Sequence, residues 1–561
     1  MAASWYHNAR MRHRGLTEGA AVLAGAFVLT AALTWPLVPR LGSVGRVNTD
    51  DGRLSIWNVA WVADALLTHP RSLFDANIFY PANNTLAYSE ANIGAGVMAF
   101  PAWVITPNPY LAHNTAVVVA WMLAVAGAYY LVRYLSGSRE AAAVAGVLYG
   151  FCPFIFARTA HIQLLMTGGL PFAMLACHRL VDRPTVGRAV VLGAVLFAQA
   201  LSCAYYGIFA GLMVGLATLW FGATRGLWRS PRYWGLVGLA AAVSIVLTGP
   251  FFLPYLAIQD EGFGRTLDDA RTYSANVGAW LASSAWAHRW WLDAIAGFRE
   301  VLFPGLLTTG TGIAGAWVLW RGRRTTTARP PLAGDVAGYY GLLAVLAFWA
   351  SFGPDAGLYR LLFETIPVFA LLRAPARMGL MVTLSLVVLG SAVLAPWLRA
   401  RPRPLLWTAG LVIVAALELN AAPLTVLRQA PPVPEAYRLL ARLPRAPLAE
   451  FPYFSDRSDY PRHAEYMLGS TYHWQPLVNG YSDYIPTWWR QNATPLRYFP
   501  TRESFRVLST LGARYVVFHL NGYNRGNRAQ LMEQLERYRQ YLRPLVQQDD
   551  VWLYEIVDWP N

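Results

Sequence analysis

Long apolar segments separated by short arginine-bearing loops run through most of the chain. Most are close to the length of about 20 apolar residues that a helix needs to cross a bilayer. They occupy positions 16–38, 111–132, 141–157, 162–181, 187–203, 207–221, 233–256, 301–320, 335–352, 378–398 and 405–419. Charged residues make up only 14% of the 561 residues, too few to cover the surface of a soluble protein of this size. We therefore predict a mainly α-helical, polytopic membrane protein with about 11 transmembrane helices.

The arginines predict the orientation of these spans. Arg10, Arg12 and Arg14 precede the first apolar segment, which has no small-residue cleavage site before Trp35-Pro36, so we interpret it as a retained span with a cytoplasmic N-terminus. The segment 93–106 is short for a span, at about 14 residues. If it only enters the membrane and returns, five arginine clusters face the cytoplasm: Arg133/Arg139, Arg179/Arg183/Arg188, Arg225/Arg229/Arg232, Arg321/Arg323/Arg324 and Arg399/Arg401/Arg403.

If the segment 93–106 crosses fully and nothing else changes, all five clusters fall on the outer face. We therefore predict a re-entrant or half-inserted segment, although a compensating change elsewhere would have the same effect. On this topology the outer face carries residues 42–92, the loop around His161, residues 259–300, residues 353–375 and the tail after position 424.

The net charge of +15 does not predict a nucleic-acid-binding protein. The basic residues are arginines in loops between apolar segments, the pattern of cytoplasmic loops in membrane proteins. Cys152, Cys177 and Cys203 all lie in apolar segments, so we predict neither a disulfide framework nor a zinc site.

The tail differs in composition from the rest of the chain, and we place a domain boundary between residues 1–424 and 425–561. Pro431-Pro432-Val433-Pro434 is typical of a linker. Hydrophobic periodicity predicts helices over 435–443, 503–511 and 528–542, and strands over 515–518 and 551–556. The prediction is a small extracytoplasmic α/β domain.

Two adjacent carboxylates, Asp50 and Asp51, stand at the head of the first outer loop, residues 40–92. The stretch Thr49-Asp50-Asp51-Gly52 also fits a solvated turn or the start of a helix. Trp57, Trp61 and Leu66 follow at near-helical spacing. This spacing predicts a helix over 52–67 that lies along the membrane interface.

Short motifs along nearly the whole chain resemble those of a large bacterial group of multi-span glycosyltransferases, which is similar to the GT-C superfamily. The motifs are Asp51 with Trp57, Asn77-Ile78-Phe79-Tyr80-Pro81, Tyr88-Ser89-Glu90, Phe154 with His161-Ile162-Gln163-Leu164, Tyr205-Tyr206-Gly207, Glu300 with Phe303-Pro304-Gly305, Leu372-Arg373-Ala374-Pro375-Ala376-Arg377, Asn479-Gly480-Tyr481 and Gly512-Ala513-Arg514-Tyr515-Val516-Val517.

The resemblance implies an enzyme of the bacterial plasma membrane that uses a polyprenyl-phosphate sugar as donor. The acceptor would be an extracytoplasmic glycan, lipid or protein. Asp51 matches the acidic position of the group and is our candidate base. Asp50 stands where relatives often carry glycine, so acceptor contact, metal contact and a surface turn all stay open for it.

Sugar transfer from a lipid phosphate needs a base for the acceptor hydroxyl and positive charge for the leaving phosphate. Arg373 and Arg377 bracket Pro375 at the predicted start of a helix, an arrangement suited to an anion or to an anchor at lipid headgroups. No cofactor is required by this scheme. A divalent cation at Asp50 and Asp51 is an option that would need further oxygen ligands, such as Glu90.

The remaining candidate substrate contacts each have a structural alternative. His161 and Gln163 suit sugar hydroxyls or phosphate, or a helix end. Glu300 is an acid beside an apolar segment, either functional or simply solvated. Tyr205 contacts substrate or belongs to an interfacial aromatic belt. An aromatic group in the tail stacks on sugar or packs internally: Tyr472, Trp474, Tyr481, Tyr484, Trp488 and Trp489.

Two other classes of function stay open. A lipid or polysaccharide transporter would need charged or polar residues lining a path through the spans, and the span interiors carry few. A non-catalytic envelope scaffold would use the tail to bind glycan or a partner enzyme.

Overall fold

The computed structural model describes residues 2–259, 265–295, 297–322 and 332–560, and it is mostly helical. Arg323 and Arg324, two members of a predicted cytoplasmic cluster, lie outside these residues. The chain divides into two compact units. The first comprises Met1–Pro39, Val117–Phe252 and Gly264–Thr425, and the second comprises Arg40–Ala116, Leu253–Phe263 and Val426–Asn561.

Helices make up most of the first unit. Their bounds, including two helices that continue into the second unit, are Ala2–Leu33, Pro109–Ser136, Arg139–Gly150, Pro153–Ala157, Ile162–Leu165, Gly169–Asp182, Val186–Ser202, Ala204–Thr224, Pro231–Gln259, Leu267–Thr272, Arg289–Leu292, Leu306–Gly322, Gly334–Ser351, Leu358–Thr365, Gly379–Arg399 and Pro404–Leu419. The helices Leu306–Gly322 and Gly379–Arg399 pack closely because Gly315 has no side chain. A Cβ there would lie 2.0 Å from the Leu389 carbonyl oxygen.

Six helices in the described part of the chain are long and apolar enough to cross a membrane. They are Gly15–Leu33, Pro109–Ser136, Arg139–Ala157, Ala204–Thr224, Pro231–Ile258 and Pro375–Arg399. Ile93–Ile105, Val186–Ser202 and Pro404–Leu419 are shorter apolar helices. The chain is therefore a membrane protein. The count of about 11 spans and the re-entrant path of Ile93–Ile105 stay predictions.

Two predicted spans are each interrupted in the structure. The segment 141–157 comprises the helices Arg139–Gly150 and Pro153–Ala157. The apolar segment 162–181 is two helices, Ile162–Leu165 and Gly169–Asp182, rather than one. The break is held by side chains from other helices: the Gln199 amide donates to the Met166 carbonyl at 3.0 Å, and the Tyr149 hydroxyl donates to the Thr167 carbonyl at 3.0 Å. Gln199 lies so close to Gly169 that a Cβ there would be 1.9 Å from its Oε1.

The second unit contains both helices and strands. Its other helices are Asp50–Thr68, Ile93–Ile105, Glu435–Leu440, Ala464–Ser470, Thr487–Arg497, Arg502–Thr510 and Arg525–Arg537. A short ladder, Val44–Gly45 with Arg428–Gln429, joins the first-loop residues to the tail. The predicted first loop and the predicted tail therefore share one compact unit.

Four strands of the tail form a sheet in the order Leu448–Phe451, Tyr515–His519, Val551–Ile556, Leu542–Gln548. The first two are parallel, with Leu448 opposite Tyr515, and the other neighbours are antiparallel. The strands predicted over 515–518 and 551–556 are present. The helix predicted over 528–542 ends at Arg537 instead, because Leu542 begins an edge strand whose polar residues obscure its pattern.

Candidate active site

The helix Asp50–Thr68 places the two candidate carboxylates in its first turn. Thr49 is the N-cap, and its hydroxyl accepts a hydrogen bond from the Gly52 N–H at 3.2 Å. Carboxylates in a first helical turn are stabilised by the helix dipole, which favours their charged form. Thr49-Asp50-Asp51-Gly52 therefore starts a helix, as one interpretation of the sequence held.

Gly52 fixes how close the preceding chain comes to this turn. A Cβ at position 52 would lie 2.0 Å from the carbonyl oxygen of Arg46. No side chain fits in that space, so the residues leading into the helix pack directly on its backbone. Burial and the nearby Arg428 guanidinium lower the pKa of Arg46. The acidic turn thus packs against the chain at Arg46.

Trp57 and Trp61 hold the first loop rather than facing outward. Both side chains are buried. The Trp57 indole N–H donates to the Asn77 side-chain oxygen at 3.2 Å, and the Trp61 indole N–H donates to the Leu73 carbonyl at 2.9 Å. The near-helical spacing in the sequence therefore reports internal packing of this face.

Asp50 and Asp51 differ in their surroundings. The Asp50 carboxylate accepts from the Arg53 guanidinium at 2.7 Å, and the second Arg53 nitrogen lies 3.8 Å from the Glu465 carboxylate. Asp51 is half-buried in the same turn. The described residues contain no group of three or more His, Cys, Asp or Glu side chains suited to a metal, so a divalent cation here would need ligands from elsewhere.

Glu90 is tied to the acidic helix through its backbone. Its carbonyl oxygen accepts from the Asn58 amide at 3.2 Å and from the Asn92 amide at 3.1 Å. Asn58 is seven positions after Asp51, so both project from one face of the helix. Asn58 and Asn92 are buried, and their side-chain oxygens have no hydrogen-bond partner. We did not predict either residue, because isolated asparagines in a sequence carry no distinctive signal.

The first unit brings Arg373, Arg377 and Tyr205 together. The Arg377 guanidinium carbon lies 4.5 Å from the centroid of the Tyr205 ring, and that of Arg373 lies 5.4 Å from the Tyr273 ring. The Tyr205 hydroxyl accepts a hydrogen bond from the Ala374 N–H. A 3-10 turn, Pro375–Met378, leads into the helix Gly379–Arg399, as the predicted helix start near Pro375 required. Aromatic faces and backbone contacts thus fix both arginines.

Glu300 forms an ion pair with Arg158, and both side chains are largely buried. Arg158 directly follows the helix Pro153–Ala157, and its carbonyl accepts from the His161 N–H at 2.9 Å. We did not predict Arg158. An arginine on the predicted outer side of a span departs from the positive-inside pattern, but a single exception of this kind does not mark a functional residue without its partner.

His161 and Gln163 are half-buried at the short helix Ile162–Leu165. Tyr206, the neighbour of Tyr205, is fully buried, and its hydroxyl donates to the Leu164 carbonyl at 3.3 Å. Tyr206 therefore supports the segment that carries His161 and Gln163. The candidate site residues divide between the two units. The first unit contains Tyr205, His161, Gln163, Glu300, Arg373 and Arg377, and the second unit contains Asp50, Asp51 and Glu90.

The tail aromatics include clear packing residues. Trp489 is buried, its indole N–H donates to the Val478 carbonyl at 2.9 Å, and Phe79 and Tyr453 contact its ring. Trp474 packs edge-on against Trp61 at 5.4 Å between ring centroids. For these two tryptophans the structure favours internal packing over an open stacking surface.

No family model matches this sequence, and no curated protein matches it. Among solved structures, the cryo-EM structure of arabinofuranosyltransferase AftD from Mycobacteria matches with a TM-score of 0.59 at 13% identity, covering 97% of this chain and 40% of that chain. A mutant of AftD matches with a TM-score of 0.56 at 14% identity, covering 97% and 41%. The chain shares the fold of this part of AftD.

The chain spans about two-fifths of the AftD chain that it matches. ArnT from Cupriavidus metallidurans in the apo state gives a TM-score of 0.41 at 15% identity, covering 97% of this chain and 98% of that chain. A TM-score of this size is too low to relate ArnT to this site. The fold assignment thus rests on AftD.

Proposed function

We propose that this chain is a membrane glycosyltransferase that moves a sugar from a polyprenyl-phosphate donor to an extracytoplasmic acceptor. The acceptor class is a cell-envelope glycan or lipid, or a protein. The observation that carries the proposal is the pair Arg373 and Arg377, fixed on tyrosine rings at a helix start within the fold shared with AftD. Half-buried guanidinium groups at such a position suit a phosphate.

The transfer is a displacement at the anomeric carbon. The acceptor hydroxyl oxygen forms the new bond to that carbon, and the bond from the carbon to the donor phosphate oxygen breaks. The electron pair leaves on the phosphate, and the hydroxyl proton passes to the base. A single displacement of this kind inverts the anomeric configuration.

Asp51 is the proposed base. It lies in the first turn of the helix, where the helix dipole favours a carboxylate, and a carboxylate can take the acceptor proton. Asp50 is already engaged by Arg53, so we assign it the role of positioning that turn. Glu90, His161, Gln163 and Tyr205 are the proposed contacts for sugar and acceptor hydroxyls.

Arg373 and Arg377 are the proposed phosphate ligands. The charge on the phosphate grows as the sugar leaves, so cations placed there stabilise the transition state more than the bound donor. We propose that no cofactor is needed, and that a divalent cation at Asp50, Asp51 and Glu90 is optional. The proposed setting is the bacterial plasma membrane, with the N-terminus in the cytoplasm and the tail outside.

The proposal is tested by reconstituting the full chain in liposomes with polyprenyl-phosphate pentoses and hexoses and with envelope glycan as acceptor. Mass spectrometry then follows release of polyprenyl phosphate. We expect acceptor-dependent release from at least one donor class, lost in Arg377→Gln and retained in the matched control Arg271→Gln, whose exposed side chain pairs with Asp268 and Asp355. Movement of intact donor across the liposome without release would instead indicate a transporter.

A further inference from the structure

The ion pair between Arg158 and Glu300 has an unusual setting. The side chain of Arg158 is 21% exposed and that of Glu300 is 10% exposed, so both charges are largely removed from water. Such a pair gains little stability over an apolar pair of the same shape, because the cost of desolvation offsets the attraction. Stability alone therefore gives a weak reason for these two residues.

Glu300 leaves Arg158 incompletely satisfied. The Nε of Arg158 is buried and has no hydrogen-bond partner. A guanidinium has five N–H donors in one plane, which match two oxygens of a carboxylate or of a phosphate. A buried donor without a partner is costly, so the Arg158 guanidinium can donate to a second oxygen-bearing group.

Positive charge also accumulates around Arg158. Burial and the nearby Arg377 guanidinium lower the pKa of Arg158. The Arg377 guanidinium carbon lies over the ring of Tyr205, 4.5 Å from its centroid. Two guanidinium groups held near each other in partial burial favour a multiply charged anion between them.

We propose that Arg158 is a third phosphate ligand, and that Glu300 is its resident counter-ion, which the lipid phosphate displaces from the guanidinium. This inference rests on the proposed function. The donor is a phosphodiester with one negative charge. The leaving polyprenyl phosphate is a monoester with a charge of about −1.5 to −2 at neutral pH, by analogy with phosphorylated side chains.

The proposed exchange therefore follows the reaction. Arg158 stays partly engaged with Glu300 while the singly charged diester is bound, and it turns to the phosphate as the second charge develops. Glu300 thus lowers the affinity for the released lipid phosphate and helps it to leave. This role makes Glu300 a positioning residue and predicts opposite effects for the two partners of one ion pair.

The test measures binding of farnesyl phosphate, a short polyprenyl phosphate, to the full chain in detergent micelles by calorimetry. Arg158→Gln should weaken binding about 10-fold or more, because one charge-assisted contact is lost. Glu300→Gln should tighten binding several-fold, and Arg158→Lys should recover part of the loss. The double variant should behave as Arg158→Gln, since Glu300 acts through Arg158.

Equal weakening by Arg158→Gln and Glu300→Gln would overturn the proposal, because a purely structural pair fails alike from either side. If the substitutions weaken binding of phosphatidylglycerol as much as binding of farnesyl phosphate, the site is a general lipid anchor and the proposal is overturned. Inorganic phosphate that binds as tightly as farnesyl phosphate would also overturn it. If Arg158→Gln does not fold, the sign of the Glu300→Gln effect still decides. If Arg377→Gln loses binding and Arg158→Gln binds normally, this inference alone is refuted. If the unaltered chain does not bind farnesyl phosphate, the proposed function is refuted as well.

Discussion

The guanidinium carbon of Arg377 lies over the ring of Tyr205, 4.5 Å from the ring centroid. The hydroxyl of the same tyrosine accepts the N–H of Ala374, three residues before the arginine. One side chain thus holds both the backbone and the head group of the proposed phosphate ligand. The ring and the hydroxyl have separable roles, which substitutions can distinguish.

Tyr205→Phe keeps the ring under Arg377 and removes the hydroxyl, which accepts the Ala374 N–H and is a proposed contact for substrate hydroxyls. We expect a loss of about 3- to 10-fold in donor affinity, the size of one neutral hydrogen bond. Tyr205→Leu removes both contacts and should cost about 10- to 100-fold, since a cation–π contact adds about 0.5–2 kcal/mol. The KM for donor in the release assay measures both. Equal effects from the two substitutions would mean that the ring does not position Arg377.

Gly52→Ala adds a methyl group whose carbon would lie 2.0 Å from the Arg46 carbonyl oxygen. The backbone must shift, which we expect to destabilise the second unit by about 1–3 kcal/mol and to slow transfer by displacing Asp51. Hydrogen exchange of the helix Asp50–Thr68 measures the first effect and the release assay the second. The matched control is Gly526→Ala, in an exposed first helical turn with only an ordinary contact at 3.7 Å. A Gly52→Ala protein as stable and active as that control would contradict the packing described here.

His463 makes the tail sensitive to acid. It is fully buried, its Nε2–H donates to the Phe454 carbonyl, and the Asn479 amide donates to its Nδ1, so it is held as a neutral ring. Burial lowers the pKa of His463 to about 3. Above the unfolded pKa of about 6.5 neither state binds the proton, and the histidine has no effect on pH dependence.

Below about pH 6.5 the unfolded chain binds a proton at His463 that the folded chain does not bind, so the free energy of unfolding falls as pH falls. The fall from this group is about 1.4 kcal/mol per pH unit and continues until the pH nears the pKa of His463 in the folded protein. Hydrogen exchange of the strand Leu448–Phe451, corrected for intrinsic rates, should therefore speed up between pH 7 and pH 5. His463→Gln should flatten that dependence. An unchanged slope in the variant would assign the acid sensitivity to other groups.

The helices were the most predictable part of this chain. Apolar length alone predicts them, because a backbone in lipid must satisfy its own hydrogen bonds. The segment predicted over 405–419 is the helix Pro404–Leu419. The break before Gly169 was not predictable in this way. It depends on Gln199 and Tyr149, which come from other helices and leave no mark on the local sequence.

The site was only partly predictable for the same reason. Asp50, Asp51, Arg373 and Arg377 stand out as charges beside apolar segments, and resemblance singled out Tyr205. Arg158 gained meaning only from its pairing with Glu300, distant in the sequence. The strand Leu448–Phe451 was missed because it is short, wholly buried and followed at once by Pro452, so it shows no alternation.

Asp51 is the proposed base for the acceptor hydroxyl, and comparing Asp51→Asn with Asp50→Asn in the polyprenyl phosphate release assay tests this role. Asp51→Asn should abolish acceptor-dependent release while farnesyl phosphate binding and thermal stability stay unchanged. Asp50→Asn, which loses the 2.7 Å pair with Arg53, should retain measurable release. Normal release by Asp51→Asn would show that Asp51 is not the base.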